Sequence, residues 1–384
     1  MPKKILFVRV FASAPIGISV AEMLRTTFPE YTVEIINITS LLKRRPDILL
    51  VNIWHMLRIY GRDLLAGYKN LRGAFLATPY LFHQVKQLIA DQVAPYQKDY
   101  IFTFQLQSLF DASTDFLPHF VYTDHSHLAN QEYPEFQPRQ LYSPAWLALE
   151  RSIYYNAALV FTRSTNIALS ITQQYDVPES RVICVYAGVN VKTRSETENG
   201  RSHSDRYAQH HVLFVGLDWE RKGGPDLVTA FRQVQAVYPD ARLTIIGANP
   251  QVDLPNCQVV GRLPAAEVQT YYEQASLFCL PTKLEPFGIV FVEAMANRLP
   301  IIATTVGAIP DFVEAGINGR LIPPGDIDSL AQSLINLLGD PERLQAYGEN
   351  SYRLAKKRYN WSSVGAAIRN QITTTLGQTI SWPA

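Results

Sequence analysis

The feature that most constrains the fold of this chain is a repeated alternation of short, β-branched apolar runs with segments of helical periodicity. Strands that alternate with helices favour a mainly parallel sheet covered by helices on both faces. In the first half, the strands are predicted near residues 4–11, 32–38, 47–53, 74–78, 100–105, 120–124, 158–162 and 182–186, and the helices near 17–27, 57–70, 80–92, 143–157 and 165–175. Residues 1–190 are therefore expected to form one doubly wound α/β domain.

A polar segment interrupts this alternation. Residues 191–209 contain almost no side chain that a core could bury, which predicts a linker or mobile loop. The alternation then restarts, and a second doubly wound domain is expected over residues 210–350. Its strands are predicted at 211–216, 242–247, 277–280 and 300–304, each followed by a helical segment. Two such domains place ligands at the carboxyl ends of their strands, in a crevice between them.

Length and composition agree with two soluble domains. A chain of 384 residues is too long for one typical core, and 47% hydrophobic residues supply enough apolar side chains for two. The formal net charge is +1, so no global field attracts nucleic acid or an anionic membrane. Lys43-Arg44-Arg45 is a local basic cluster, which is interpreted as the solvated end of a helix before Pro46.

The cysteines and the absence of long apolar runs favour a cytoplasmic location. Cys184, Cys257 and Cys279 are odd in number and lack metal-ligand spacing, which is typical of buried thiols in a reducing compartment. The N-terminus lacks the features of a signal peptide, and no run approaches the roughly 18 apolar residues of a membrane helix. Peripheral contact with the inner face of a membrane is left open.

A glutamate within an apolar helical segment is the strongest local signal. Glu293 lies in the run from Phe287 to Ala296, and Glu285 lies in the turn just before it. A carboxylate in such a segment requires strong hydrogen-bond donors. The helix is predicted to begin near Phe287 or Gly288, where free N–H groups and the positive end of the helix dipole favour an anionic ligand. From these residues alone, a nucleotide-sugar site and a core glutamate paired with an Arg or Ser both remain open.

Several motifs of the second half resemble the retaining glycosyltransferases of family 4, also called group 1. The motifs are Glu285-x7-Glu293 within the segment 280–288, Glu293-Ala294-Met295-Ala296, Gly307-Ala308-Ile309-Pro310-Asp311, and the segment 318–326. The resemblance is most specific over residues 210–340. It implies the GT-B fold, in which two Rossmann-like domains face a crevice. It also implies that the C-terminal helices of residues 351–384 return to the first domain.

The resemblance implies a retaining, metal-independent transfer of a hexosyl group from a nucleotide diphosphate sugar to a hydroxyl group. UDP-hexose is the favoured donor, and GDP-mannose remains open; the acceptor is a saccharide, a lipid-linked group or a small molecule. No cofactor and no nucleic acid partner are expected. Two alternatives remain: a nucleotide-sugar epimerase or isomerase of the same fold, and a catalytically silent subunit that binds the nucleotide sugar.

The donor site is predicted in the second domain. Lys222, in a Gly-rich segment after a strand, is expected to stabilise the departing diphosphate as a compact charge. Family members commonly add an Arg at the position of Leu217, and Arg221 is the candidate to replace it. By resemblance, Glu285 positions the sugar and Glu293 binds ribose. The remaining predicted donor-binding residues are Arg262, Leu263, Pro286, Phe287, Gly288 and Ile289.

The acceptor side is predicted in the first domain. His125, in the segment Val121–His127, matches the active-site histidine of the family, although His125-x-His127 alone also fits a metal site or ordinary polar residues. Polar residues after strands are candidates for the cleft, or are structural caps. These residues are Gln105, Ser108, Arg163 and, at the hinge, Asn190.

Two departures from simple patterns qualify these predictions. The first strand is followed by the segment 12–19, which offers only Gly17 where family members have a glycine-rich turn near the donor and acceptor, so the resemblance does not fix the acceptor geometry. Asp326 and Asp328 resemble the metal-binding Asp-x-Asp of another transferase fold. Because they follow Pro323-Pro324-Gly325 at a helix start, they are interpreted as capping residues, and no metal site is expected.

Overall fold

The computed structural model describes residues 3–189 and 205–379, which group into two compact units. The first unit contains the described residues up to Gln131, then Phe136–Ala187, and the described residues from Trp361 onward. The second unit contains Glu132–Glu135 and the described residues between Gly188 and Asn360.

The first unit is built around a six-stranded, entirely parallel sheet in the order β2-β1-β3-β4-β5-β6. Strand β1 contributes Ile5–Val8, whose side chains are fully buried, as expected for a sheet covered on both faces. The elements are β1 (Lys4–Arg9), α1 (Pro15–Thr27), β2 (Thr32–Asn37), α2 (Ile38–Leu42), α3 (Pro46–Leu65), α4 (Leu71–Leu76), α5 (Pro79–Val93), β3 (Tyr100–Leu106), β4 (His119–Thr123), α6 (Pro144–Asn156), β5 (Leu159–Thr162), α7 (Thr165–Gln174) and β6 (Val182–Cys184).

The second unit repeats this arrangement with a parallel sheet in the order β12-β11-β10-β7-β8-β9. Its elements are β7 (His211–Gly216), α8 (Gly224–Val237), β8 (Arg242–Gly247), β9 (Cys257–Gly261), α9 (Ala265–Gln274), β10 (Leu277–Leu280), α10 (Ile289–Ala296), β11 (Ile301–Thr304), β12 (Gly319–Ile322), α11 (Ile327–Leu338) and α12 (Pro341–Arg358). Two doubly wound α/β units confirm the predicted fold class.

Two predicted strands of the first unit are helices. Residues 47–53 belong to α3, and residues 74–78 span the end of α4 and the capping residue of α5. In α3, Pro46 occupies the first turn, and the buried residues Ile48, Asn52, Met56 and Tyr60 recur every fourth position. The continuous apolar run hid this helical period, because a short buried run does not distinguish a strand from a helix.

The predicted linker 191–209 lies mostly outside the described residues, but its end differs from the prediction. Asp205–Ala208 form a 3-10 turn in which Arg206 and Tyr207 are buried. The Arg206 guanidinium donates to the carbonyls of Glu273 at 3.1 Å and Asn297 at 2.7 Å, which lie at the ends of α9 and α10. A charged residue is buried here because it satisfies free carbonyls at two helix C-termini.

The final helix, α13 (Trp361–Thr379), groups with the first unit. Arg369 of α13 pairs with Glu30 at 2.8 Å and donates to the Thr27 carbonyl at 2.5 Å. Gly365 permits this approach, since a Cβ atom there would lie 2.2 Å from Thr27 Oγ1. Helix α12 groups with the second unit, so the chain changes units between Asn360 and Trp361, later than the boundary predicted at residue 350.

Candidate functional site

A cavity of about 350 Å³ lies at the carboxyl ends of strands β7 and β8 in the second unit. Glycines end both strands and help to line it. Gly247 has φ of +98°, and a Cβ atom there would lie 2.6 Å from the carbonyl oxygen of Gly216. The sheet edge is therefore backbone-lined, which leaves room for a ligand. The cavity is lined by Val215, Gly216, Leu217, Arg221, Lys222, Ile246, Gly247, Arg262, Leu263, Val268 and Val290.

Lys222 and Glu285 form an ion pair beside this cavity. Their exposed fractions are only 9% and 5%, and the Lys222 ammonium donates to Glu285 Oε2. A buried ion pair gains little net stability, because desolvating both charges offsets most of their attraction. Removing either partner, by contrast, leaves an uncompensated charge. The two residues predicted to act on diphosphate and sugar are thus brought into direct contact.

The turn that carries Lys222 packs closely against the residue after strand β10, because Gly223 has no Cβ atom. Gly223 caps α8 with φ of +73°, and a Cβ atom at this position would lie 1.9 Å from the Pro281 carbonyl oxygen. The Lys283 N–H donates to the Arg221 carbonyl at 2.9 Å, and Thr282 Oγ1 donates to the same carbonyl at 3.2 Å. The two loops that present Lys222 and Glu285 therefore form one hydrogen-bonded unit.

The backbone of Glu285 also contacts the motif Gly307-Ala308-Ile309-Pro310-Asp311. The Ala308 N–H donates to the Glu285 carbonyl at 3.2 Å, and a Cβ atom on Gly307 would lie 2.2 Å from that oxygen. Tyr133, from the short segment that groups with the second unit, is buried against Gly307. Burial, followed by the nearby Glu285 charge, raises the pKa of the Tyr133 hydroxyl. Sequence reasoning missed Tyr133 because it lies far from the motif along the chain.

Helix α10 begins at Ile289, slightly later than expected. Gly288 is its N-cap with φ of +91°, in the left-handed region that favours glycine. Ile289 is half exposed at 50%, whereas the Phe287 ring packs edge-on against Phe312 at 5.6 Å between centroids. Pro286 is partly buried. Phe287 therefore has a packing role in this structure, and ligand contacts by this segment stay a prediction.

The partner of Glu293 is a tyrosine. The Tyr272 hydroxyl of α9 donates to Glu293 Oε2 at 3.0 Å. Burial raises the pKa of the Glu293 carboxyl, and the hydrogen bond from Tyr272 partly opposes this shift. Glu293 lies one helical turn beyond Val290, and Tyr272 lies one turn beyond Val268; both valines line the cavity. The carboxylate is thus next to the cavity, satisfied by a residue that the sequence did not single out.

Arg221 and Arg262 place positive charge at the cavity. Arg221 Nε pairs with Asp218 at 3.0 Å, and its Nη1 donates to the Leu284 carbonyl at 2.8 Å. The Leu217 side chain is 64% exposed, and Arg262 is also exposed, beside the half-buried Leu263. The guanidinium of Arg221 is therefore held at the cavity that Leu217 lines.

His125 lies in a tight turn after strand β4 in the first unit. Its carbonyl accepts from Thr123 Oγ1 at 2.8 Å and from Ser108 Oγ at 3.0 Å. Burial lowers the pKa of the His125 imidazole, which keeps the ring neutral, and the amide nitrogen of Asn130 lies 3.4 Å from Nε2. Ser108 thus positions the backbone of His125.

His127 has a structural environment. Its Nε2 accepts from the Tyr142 N–H at 2.9 Å, the two rings stack at 4.0 Å between centroids, and burial lowers the His127 pKa to about 3. Within residues 3–189 and 205–379, no group of three or more His, Cys, Asp or Glu side chains could hold a metal ion. The metal independence of the site stays a prediction.

The other predicted cleft residues of the first unit differ in their contacts. Gln105 uses its side chain on the backbone of the following loop, donating to Gln107 and Phe110 and accepting from Ala112. Its contacts are those of a structural residue, and an acceptor role stays a prediction. Asn190 lies outside the described residues.

Arg163 follows strand β5 in the first unit, and Gly17 lies in the first turn of helix α1. Arg163 is 4% exposed and pairs with Asp124 at 2.9 Å. At Gly17, a Cβ atom would lie 3.0 Å from the Arg9 side chain, which itself bonds Asn37 at 2.7 Å. Arg9, at the end of β1, is a polar strand-end residue that sequence reasoning missed.

Asp326 caps helix α11, as predicted. Its carboxylate accepts from the Ser329 N–H at 3.0 Å and from the Ser329 hydroxyl at 2.7 Å. The same bonds lower the pKa of the Asp326 carboxyl. The interpretation of Asp326 as a helix cap is confirmed, and Asp328 lies in the first turn of α11.

Two parallel α/β units, one with a cavity at the carboxyl ends of its strands, define a two-domain protein of the Rossmann type. Residues 209–340 match the family described as glycosyl transferases group 1. The match covers the part of the chain in which the resemblance to this family is most specific, so the resemblance predicted from the sequence is confirmed.

Some known proteins resemble the chain in sequence, and others resemble it in fold. The sulfoquinovosyl transferase SQD2 of Arabidopsis thaliana is 26% identical over 257 residues, which are 62% of this chain and 49% of the plant protein. The chain spans about half the length of the curated relatives it matches. Sucrose-phosphate synthase of Thermosynechococcus elongatus shares the fold with a TM-score of 0.67 and 16% identity, over 98% of this chain and 100% of that one.

A second solved structure shares the fold at a similar level. It is the Anabaena protein HepE in complex with UDP, with a TM-score of 0.63 and 16% identity, over 97% of this chain and 100% of that one. At this identity, the likeness to both solved structures establishes the fold alone. In the described part of the chain, none of the helices combines the length and apolar character needed to cross a membrane.

Proposed function

We propose that this protein is a retaining glycosyltransferase that moves a hexosyl group from a nucleotide diphosphate sugar to a hydroxyl acceptor. The observation that carries the proposal is the buried Lys222–Glu285 pair beside a strand-end cavity in a group 1 domain. A buried pair of this kind costs desolvation and adds little stability, so a ligand-directed role explains its presence better than folding does.

In the proposed reaction, Lys222 changes partners. In the absence of donor, its ammonium is neutralised by Glu285. A bound diphosphate competes for the same ammonium, which then stabilises the negative charge that develops as the sugar leaves. Glu285, released from Lys222, accepts hydrogen bonds from the hydroxyl groups of the sugar. The pair thus couples donor binding to the positioning of the sugar.

Arg221 is the second cation of the proposed diphosphate site. Its guanidinium is fixed at the cavity by Asp218 and the Leu284 carbonyl, and both bonds leave one terminal nitrogen available to an anion. In this proposal, Arg221 does the work of the Arg that family members carry at the position of Leu217.

A different set of residues is proposed to bind the nucleoside. Glu293, with Tyr272 beside it, binds the ribose hydroxyls, and Arg262 and Leu263 at the end of β9 contact the base. The cavity volume of about 350 Å³ lies within the range of small-molecule sites, roughly 300–1,000 Å³. UDP is the favoured nucleotide. The crystal structure of the similarly folded HepE in complex with UDP supports this choice, and GDP remains the alternative.

The chemical step is a metal-independent front-face exchange. The bond between the anomeric carbon and the diphosphate oxygen breaks, a bond to the acceptor oxygen forms on the same face, and the acceptor proton passes to the departing diphosphate. His125 orients the donor sugar as a neutral imidazole, in keeping with its lowered pKa. The acceptor is a saccharide, a lipid-linked group or a small hydroxyl compound. Cys184, Cys257 and Cys279 are not joined in disulfides, which supports a reducing, cytoplasmic setting.

A nucleotide-release assay tests the proposal. The protein is incubated with a panel of UDP- and GDP-hexoses, with and without candidate acceptors, and free nucleoside diphosphate and new glycoside are measured. Release coupled to a glycoside whose anomeric configuration matches the donor supports the proposal. An altered sugar without release indicates an epimerase or isomerase, and binding without any change indicates a silent subunit; either result rejects transfer.

A matched pair of variants assigns the site. Lys222→Met removes the proposed diphosphate charge, whereas Lys69→Met removes a buried lysine that pairs with Asp63 in the first unit. Nucleotide release is expected to fall only in the first variant. Equal rates in the wild type and in Lys222→Met would remove Lys222 from the proposal.

A further inference from the structure

The two faces of helix α3 have very different surroundings. One face carries Ile48, Asn52, Met56 and Tyr60, which are buried. It is fixed by hydrogen bonds from Asn52 Nδ2 to the Phe75 carbonyl at 2.8 Å and from the Tyr60 hydroxyl to the Ala77 carbonyl at 2.7 Å. The helix is therefore rigidly attached to the first unit through this inner face.

The opposite face of α3 exposes large apolar side chains. We define the α3 outer face as Leu50, Ile53, Trp54, Leu57 and Leu65, whose exposed fractions are 69%, 42%, 56%, 54% and 93%. The first four occur at helical spacings of three and four residues, so they form one continuous stripe. Isolated exposed apolar residues are ordinary, whereas a contiguous stripe of this kind marks an interaction surface.

Positive charge surrounds the α3 outer face. Residues 38–76 contain seven Lys and Arg side chains and two Asp, a net charge of +5, although the whole chain carries only +1. Both Asp residues are already paired, Asp47 with Arg45 and Asp63 with Lys69. Lys43, Arg44, Arg58 and Arg62 are exposed. The apolar stripe is thus bordered by cations without compensating acids on the same segment.

We propose that the α3 outer face docks on an anionic lipid surface. A helix with Trp, Leu and Ile on one side and basic residues beside them lies in the plane of a membrane interface, with its apolar side chains inserted and its cations on lipid phosphates. The Arg58 guanidinium lies 5.2 Å from the Trp54 ring centroid, which places cation and interfacial aromatic together. Because the inner face is fixed, docking requires no unfolding of α3.

Charge argues against a second copy of the chain as the occupant. A symmetric dimer through the α3 outer face would bring two segments of net charge +5 together, and like charges at an interface oppose association. An anionic membrane satisfies both the apolar stripe and its basic border. This inference does not rest on the proposed function, because no residue of the donor site belongs to the α3 outer face.

Vesicle co-sedimentation tests the inference with the full chain. The probes are vesicles of phosphatidylcholine alone and vesicles that also contain about 30% phosphatidylglycerol. The wild type is expected to sediment with the anionic vesicles and to be released by high salt. Trp54→Glu/Leu57→Glu and Arg58→Glu/Arg62→Glu are each expected to reduce the bound fraction by about tenfold or more, since each Lys or Arg near a charged bilayer contributes ~1 kcal/mol.

Leu169→Glu is the matched control, because Leu169 is a 52% exposed leucine on α7. It is expected to bind vesicles like the wild type. Thermal unfolding of each variant checks that the fold is kept, and a UDP-induced rise of the unfolding temperature reports the donor site independently. Loss of vesicle binding with retained UDP response separates this inference from the proposed function.

Four results would overturn the inference. They are no binding of the wild type to anionic vesicles, equal binding to the neutral vesicles, equal loss in Leu169→Glu, and a concentration-dependent dimer by sedimentation velocity that Trp54→Glu/Leu57→Glu abolishes. The last result would assign the α3 outer face to a second copy of the chain.

Discussion

The two sheets have the same parallel design, yet they place different chemistry at their carboxyl ends. In the second unit, β7, β8 and β9 end in Gly216, Gly247 and Gly261, and a cavity opens there. In the first unit, strand ends carry large polar side chains such as Arg9 and Gln105, which are engaged by neighbouring groups. The two sheets share a fold, but at its carboxyl end the second sheet exposes mainly glycine backbone, whereas the first carries large polar side chains.

This difference explains why the second unit was the easier one to interpret from the sequence. A backbone-lined edge requires glycine at fixed positions and a few cations and carboxylates nearby, and those requirements are visible as motifs. A side-chain-lined edge is specified by contacts between distant residues, such as Ser108 with the turn of His125. Those contacts leave no local pattern.

The largest expected effect separates catalysis from stability at the Lys222–Glu285 pair. Lys222→Met should lower kcat by about 10²–10³-fold through loss of charge stabilisation, and should also lower the free energy of unfolding because Glu285 is left without its partner. Lys222→Met/Glu285→Gln should regain stability but not activity. Steady-state rates and denaturant unfolding of both variants measure this. Recovery of activity in the double variant would show that the pair is only structural.

The next prediction tests the glycine that carries the Lys222 turn. Gly223→Ala should lower the free energy of unfolding by more than ~1 kcal/mol, because its Cβ atom would clash with the Pro281 carbonyl as well as strain a positive φ. Gly67→Ala is the control: φ is +75° there and no atom lies within 4 Å. Urea denaturation compares them. Similar losses in both variants would mean that backbone strain alone, and not close packing, fixes the turn.

A pH experiment probes a buried carboxylate of the first unit. Burial raises the pKa of Glu150 from its ordinary value to about 7, against hydrogen bonds from Tyr175, the His127 N–H and Tyr154. Since the native state keeps this proton above the pH where the unfolded chain loses it, Glu150 contributes stability at pH 4.5 that is lost as the pH rises to 7.

Between pH 4.5 and pH 7, the contribution of Glu150 to the free energy of unfolding is expected to fall by about 3 kcal/mol, at 1.36 kcal/mol per pKa unit. Glu150→Gln should therefore be more destabilised relative to the wild type at pH 4.5 than at pH 7. The difference between the two unfolding curves isolates Glu150 from the histidines, whose lowered pKa values give the opposite slope. If the stability difference between Glu150→Gln and the wild type did not change with pH, Glu150 would not have a raised pKa in the native state.

The smallest expected effect concerns the cation at the cavity. Arg221→Ala should weaken UDP binding by ~1–2 kcal/mol, and Leu217→Arg in the same background should restore most of it, since a guanidinium then returns to the same cavity. Titration calorimetry of the single and double variants measures this. No rescue by Leu217→Arg would show that Arg221 does not occupy the role predicted for the missing Arg.

The sequence predicted the two α/β domains and their principal strands, and four of its candidate site residues, Arg221, Lys222, Arg262 and Leu263, line the cavity. It failed at residues 47–53 and 74–78, where tertiary packing and the capping residues Asn70 and Thr78 select helices. It also missed Tyr272 and Tyr133, whose contacts with Glu293 and with the Gly307 turn depend on residues separated along the chain. Short apolar runs and long-range hydrogen bonds carry no periodic signal, so single-sequence reasoning does not reach them.

Binding of a nucleoside diphosphate through Lys222, in the strand-end cavity of the second unit, is the step on which the proposed function depends. A crystal structure of the protein grown with UDP would reveal it. We expect the diphosphate within hydrogen-bond distance of Lys222 Nζ, the ribose at Glu293, and Glu285 no longer bonded to Lys222. A complex in which UDP lies elsewhere while the Lys222–Glu285 pair stays intact would contradict it.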